Sequence, residues 1–161
     1  MKNRILLSGA AAVAVVGLLT GCGVIDTIVG KPPAVNPTNA PTFATTDPVP
    51  EFVPDGTAAE NLPFFNYTNL AYATGADPIN GQNAVNTLVN AGFDKAAMQV
   101  SFDTSAKGLA ADNIFVSVLM GDQCLMGQYV VEDRSYVGAV EPALGPNKSV
   151  CNPSATRPID W

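Results

Sequence analysis

The chain has 161 residues, eight Lys and Arg against 14 Asp and Glu, and no histidine. A formal charge of −6 with cations scattered singly leaves no basic stripe for nucleic acid, which is not an expected partner. The lack of imidazole excludes Ser-His-Asp and Cys-His catalysis and His-ligated metal sites, so any enzyme here would have to work through carboxylates, Lys or Tyr.

Three regimes follow one another, with expected boundaries at 1–21, 22–56 and 57–161. Met1-Lys2-Asn3-Arg4 is a positive start, and Ile5 to Leu19 is apolar apart from Ser8 and glycines. That run is shorter than the ~20 residues needed to span ~30 Å of hydrocarbon, and its flanks suit the apolar region of a secretory signal. It ends in Leu19-Thr20-Gly21-Cys22, a branched residue and two small ones before a cysteine. The tetrapeptide resembles the bacterial lipobox, in which the cysteine receives a diacylglyceryl thioether and signal peptidase cuts before it. The resemblance implies cleavage between Gly21 and Cys22, lipidation of Cys22 and a place on the extracytoplasmic face of the cell membrane. An uncleaved signal anchor is the plainer alternative. Each buried methylene contributes ~0.8 kcal/mol and one chain holds only marginally, so stable anchoring calls for at least two acyl chains on Cys22. Losing Lys2 and Arg4 leaves six cations against 14 acids, a net charge of −8.

Residues 22–56 carry Pro32, Pro33, Pro37, Pro41, Pro48, Pro50 and Pro54 among Thr, Asn, Ala and Val. So many prolines erase any helical or strand period, and the stretch reads as a disordered tether reaching on the order of 100 Å if extended. Its expected role is to hold a domain clear of the membrane.

From Thr57 to Thr74, Leu62, Phe65, Asn69 and Tyr72 recur on one helical face, with Phe64, Tyr67 and Ala71 on the adjoining stripe. Pro63 belongs in a first turn, which places the helix start near Leu62, and Gly75 ends it. Asp77-Pro78 reads as the cap and first residue of a second helix burying Val85, Leu88 and Val89. Gly92 suits a left-handed terminator, with Phe93 folding back on Leu88. Strand chemistry follows. Ala97 to Phe102 alternates with Met98, Val100 and Phe102 on one side. Asn113 to Met120, the turn Gly121-Asp122 and Gln123 to Val131 form a hairpin in which Ile114 faces Tyr129, Val116 faces Gly127 and Leu119 faces Cys124. Glu132-Asp133-Arg134 reads as a solvated turn, and Ser135 to Val140 as a short further strand. The expected fold is α+β: two N-terminal helices on one face of a three- to four-stranded antiparallel sheet, in the order α-α-β-β-β-(β). The helices should cover Ile114, Val116 and Val118. The opposite face, with Phe115, Leu119, Cys124 and Met126, is too apolar to be left open.

With Cys22 committed to lipid, Cys124 and Cys151 remain as one pair suited to an oxidising compartment, or as two reduced buried thiols. Asp94, Asp103, Asp112, Asp122 and Asp133 fall at element ends, where Asp satisfies turn backbone, and they match no calcium-loop spacing. No cofactor, metal or catalytic residue is expected. The terminus Arg157-Pro158-Ile159-Asp160-Trp161 ends on the chain's single Trp. Trp161 either fills a notch in its own domain or, with Arg157, forms a candidate interaction anchor for a partner, since both residue types dominate interface hot spots.

The stretches Ala91-Gly92-Phe93-Asp94-Lys95-Ala96-Ala97-Met98, Gly108-Leu109-Ala110-Ala111-Asp112, Cys124-Leu125-Met126-Gly127-Gln128 and Thr156-Arg157-Pro158-Ile159-Asp160-Trp161, together with Cys151, resemble a family of uncharacterised actinobacterial lipoproteins carrying a domain of unknown function. The resemblance implies an envelope with a single membrane and a disulfide from Cys124 to Cys151; it carries no known activity. The functional expectation is a membrane-anchored module that binds or scaffolds a cell-envelope protein or wall polymer. The alternative is a carboxylate-dependent enzyme acting on cell-wall or lipid material.

Overall fold

The computed structural model describes residues 48–161. The signal peptide at 1–21, cleavage at Gly21 and Cys22, lipidation of Cys22 and most of the tether lie outside the described residues. Among those described, no helix is long and apolar enough to cross a membrane.

Helix α1 runs over Ala58–Thr74, four residues earlier than the proline rule places it. Thr57 caps it by accepting the Glu60 N–H, while the Glu60 carboxylate takes the Thr57 N–H at 2.8 Å. This reciprocal box satisfies two orphan donors and outweighs the bond lost at Pro63. The carbonyl of Ala59, which Pro63 cannot reach with a donor, lies in an exposed stretch where water serves it. The stripe of Phe65, Asn69 and Tyr72 is buried as expected, but Tyr67 and Ala71 face solvent, and Asn61 and Asn66 go inward instead.

Helix α2 is Gly81–Asn90, capped by Asn80 rather than Asp77. The Tyr72 hydroxyl explains the shift: it donates to the Pro78 carbonyl at 2.7 Å and accepts the Asn80 N–H at 3.1 Å. These bonds hold 78–80 extended, so the first helical turn cannot form there. At the far end Gly92, with φ +103°, and Phe93 return N–H bonds to Val89 and Leu88. This is the left-handed termination that Gly92 signals.

Five antiparallel strands follow: β1 Met98–Ser101, β2 Asn113–Met120, β3 Gln123–Val130, β4 Tyr136–Pro142 and β5 Thr156–Arg157, in spatial order β4-β3-β2-β1-β5. The hairpin register is the expected one, Ile114 against Tyr129 and Leu119 against Cys124. Two corrections apply. Strand β1 ends at Ser101, leaving Phe102 outside it and 45% exposed. The fifth strand comes from the C-terminal stretch, where Arg157 pairs with Val100.

The helices cover the face of Met98, Val100, Ile114, Val116, Val118, Leu125 and Tyr129, which with Phe65, Val85, Leu88 and Phe93 makes the core. Opposite each other on that face, Gly127 and Gly138 leave a depression for the Tyr136 ring and Asn66. A Cβ at Gly138 would fall inside van der Waals contact of Asn66 Oδ1 and the Tyr136 hydroxyl. The second face has its own small cluster, Cys124, Cys151 and Ala143, with Leu119 and Met126 packed against it. Cys124 and Cys151 are joined by a disulfide, which draws the C-terminal segment over this face. Gln99 clamps the same segment, donating to the Ser149 carbonyl at 2.8 Å and accepting the N–H groups of Cys151 and Asn152.

The last residues assigned to the tether pack as part of the domain. The Phe52 ring packs, tilted, against those of Phe64 and Phe93, with ring centroids 5.8 and 4.8 Å away. Asn61 holds Val53 by both its N–H and its carbonyl, at 2.9 Å each.

Candidate functional site

The Phe52 strap forms one wall of a cleft of about 650 Å³. The strap from Phe52 to Ala58, the loop from Gly92 through Asp94 to Ala97, and the tip of the β2–β3 hairpin from Val118 to Gln123 enclose it. Its size lies within the range of small-ligand sites. Phe52, Phe93, Val118, Leu119 and Met120 supply apolar lining, and Asp55, Asp94 and Asp122 supply carboxylates. Among the described residues, no Lys or Arg lines it. The strap is in place because Asn61 ties Val53 to α1, the loop because Gly92 terminates α2, and the hairpin because its turn needs two residues only.

Two of these carboxylates already have local work. Asp94 accepts the Ala96 N–H at 2.9 Å, and Asp122 pairs with Lys148 at 2.8 Å. Among the other recurrent aspartates, Asp133 accepts the Ser135 N–H at 2.9 Å, while Asp103 does more than close a turn. The Lys148 ammonium holds Asp122 below the usual carboxylate range, and backbone N–H groups do the same for Asp133 and Glu60. Carboxylates held ionised in this way suit capping and ion pairing rather than donating a proton near neutrality.

The C-terminal residues form a second cluster, on α2 and the β1 edge. Asp103 accepts the Gly81 N–H at the start of α2 and the Arg157 guanidinium, both at 2.6 Å. The Arg157 guanidinium lies 4.6 Å from the centre of the Trp161 ring, and the Trp161 indole N–H donates to Asn86 Oδ1 at 3.1 Å. Arg157 and Trp161 are therefore brought together, half-buried and engaged within their own domain. Cys124 and Cys151 lie on the far face of the sheet, separate from this cluster.

Sequence reasoning reads Asp103 only as a turn residue and passes over Asn86 and Gln99. Asp103 and Asn86 carry no local pattern distinguishing a long-range acceptor from a turn or surface residue. Gln99 had a usable signal, as a polar residue alternating with Met98 and Val100 on a sheet whose second face is also apolar.

Arg134 is a correction in the same class. The sequence places it in a solvated turn; the structure folds its guanidinium onto the end of α1, where it donates to the carbonyls of Ala73 (2.8 Å), Gly75 (2.8 Å) and Asp77 (2.9 Å). Buried hydroxyls are likewise fully used: Tyr129 donates to Asn69 Oδ1 and Tyr136 to Asn66 Oδ1. Burial pushes both tyrosines well above the usual phenol range, so neither is a base at neutral pH.

A family model described as a domain of unknown function (DUF6993) matches residues 69–154, more than half of the 161-residue chain. Comparison with curated proteins and with solved structures returns no match.

Proposed function

This chain belongs to the DUF6993 family, whose domain has no assigned activity, and from that premise we propose that it is a lipid-anchored extracytoplasmic binding module of the cell envelope. The observation that carries the reading is the apolar run ending in Leu19-Thr20-Gly21-Cys22, ahead of a Pro-rich stretch and a folded domain. The Cys124–Cys151 bond supports it, because such bonds persist in oxidising compartments. Removing residues 1–21 leaves Cys22 as the odd cysteine, free for lipid. The envelope family of actinobacterial lipoproteins suggested by the short motifs is part of the same proposal.

For the binding half of the proposal, the cleft supplies an apolar lining with carboxylates beside it, two of which, Asp94 and Asp122, are already engaged in capping and ion pairing. The expected ligand is an envelope protein or wall polymer that presents an apolar group to Phe52 and Phe93. The anchor is tested by fractionating cells that express Cys22→Ala. The altered protein should appear in the medium or accumulate as an uncleaved precursor; mature-sized protein retained on the membrane would refute the anchor. The binding reading is tested by a photo-crosslinking residue at position 52 in intact cells. An envelope adduct that an excess of purified protein competes away supports it, and turnover of an envelope substrate without any adduct reverses it.

A further inference from the structure

The two edges of the sheet are unlike. At one, β5 has two residues, one of them Arg157, and the chain leaves it through Pro158. At the other lies the seven-residue strand β4. The two-residue turn at Gly121-Asp122 pairs Met120 with Gln123, so odd-numbered residues of β3 bond toward β2 and even-numbered ones toward β4. The Val130 N–H bond to the Ser135 carbonyl agrees with this alternation. The register of β4 then turns the N–H and C=O groups of Tyr136, Gly138 and Val140 away from β3. Among the described residues, no side chain or backbone group bonds them.

Natural sheets guard such an edge with Lys, Pro, a bulge or an inward charge. The run Tyr136-Val137-Gly138-Ala139-Val140 has none of these, and Pro142 stands only at its end. Charge is instead placed at the two ends of the edge, and it is negative: Glu132 and Asp133 before β4 and Glu141 near its close are all exposed. The neighbouring cation, Arg134, is folded away onto the α1 carbonyls. At ~3.4 Å per residue the extended stretch from Tyr136 to Glu141, between the acidic ends, spans about 17 Å.

We propose that the outer edge of β4 docks an extended, cationic segment of another protein as a sixth strand, with basic residues at both ends of a short apolar or β-branched run. Backbone bonds to Gly138 and Val140 supply the pairing, and Glu132, Asp133 and Glu141 select the charge and hold the register. A second copy of this chain is a poor occupant. Antiparallel pairing of two β4 edges about Gly138 sets Glu141 of each beside the Glu132-Asp133 end of the other, and like charges so placed repel. The proposal rests on the binding-module reading and adds the chemistry of the partner.

The test is hydrogen–deuterium exchange of β4 in the full chain in detergent, with a nonapeptide of alternating Thr and Val carrying two lysines at each end. Exchange at Gly138 and Val140 should slow at least tenfold at low salt, less in high salt, and not at all with a glutamate-ended peptide. Glu141→Lys, a change at an exposed position, should cut the protection several-fold. Val140→Pro removes one outward N–H without touching a bond to β3, and should abolish it. Unchanged exchange with the lysine-ended peptide, equal protection by both peptides, or Gly138 and Val140 amides already protected in the free chain would each overturn the proposal. If position 52 still crosslinks specifically while β4 stays unprotected, the binding reading stands and only this edge is lost.

Discussion

Three buried tyrosines show how single residues set the conditions under which the domain is stable. Tyr72, Tyr129 and Tyr136 lie on the helix-covered side, and each hydroxyl has a protein acceptor in Pro78, Asn69 or Asn66. Burial raises all three above the ordinary phenol value. Above pH ~10 the unfolded chain releases phenolic protons that the native chain keeps, so stability is fully present below that pH and falls as pH rises, by ~1.4 kcal/mol per unit for each such group. The urea midpoint should therefore drop steeply beyond pH 10. Tyr129→Phe should flatten that drop while costing about 1–3 kcal/mol at pH 7, because Asn69 Oδ1 loses its donor in a dry site. An alkaline slope identical to wild type in Tyr129→Phe would contradict the assignment. Asn69 was readable as a helix-face residue but not as a buried acceptor, since its partner is 60 positions away.

At the scale of elements, the ends of helices and strands follow local chemistry wherever the competing signals are local. The Thr57–Glu60 box, Gly92 and the Gly121-Asp122 turn are all visible in short windows of sequence. The start of α1 lies ahead of the place that Pro63 alone suggests, because the Thr57–Glu60 box caps the helix and the exposed Ala59 carbonyl makes the lost bond cheap. The end of α1 is different, because it is finished by Arg134 from the β3–β4 turn. Arg134 sits at φ +61°, a left-handed conformation that costs a non-glycine residue roughly 1–2 kcal/mol. Charge-assisted bonds to the carbonyls of Ala73 in the last turn and of Gly75 and Asp77 just beyond it offset that cost. Arg134→Ala should lose about 1.5–3 kcal/mol of stability and speed amide exchange in the last turn of α1. Arg134→Gly should lose less, because the turn is then unstrained. Equal losses in the two variants, measured by urea unfolding, would argue against a strained turn.

For the whole molecule, the sheet has a core on each face, and they are unequal. The helix-covered side is built from large apolar residues, whereas the other depends on a thin segment held by one disulfide and by Gln99. Cys124→Ser with Cys151→Ser should cost about 3.5 kcal/mol by the chain-entropy relation for residues 27 apart. It should also expose Leu119 and Met126, read as increased binding of an apolar dye before the main thermal transition. A double variant with unchanged melting temperature and no dye binding would mean that Gln99 alone suffices to hold the cover.

Sequence by itself determined the order of elements as far as β4, the hairpin register, the helix-covered face and the N-terminal motif from which the anchor is proposed. Each depends on periods, turns and caps whose partners lie within a few residues. Tertiary structure alone decided that Arg134 closes α1, that Asp103 joins α2 to Arg157, that Trp161 rests on Asn86, and that 52–56 belongs to the fold. These contacts join residues far apart in the chain, or depend on which surface the fold brings beside a locally featureless segment. A polar side chain in a turn has the same local chemistry whether it meets water or a distant helix end, and only the topology of the chain chooses between them.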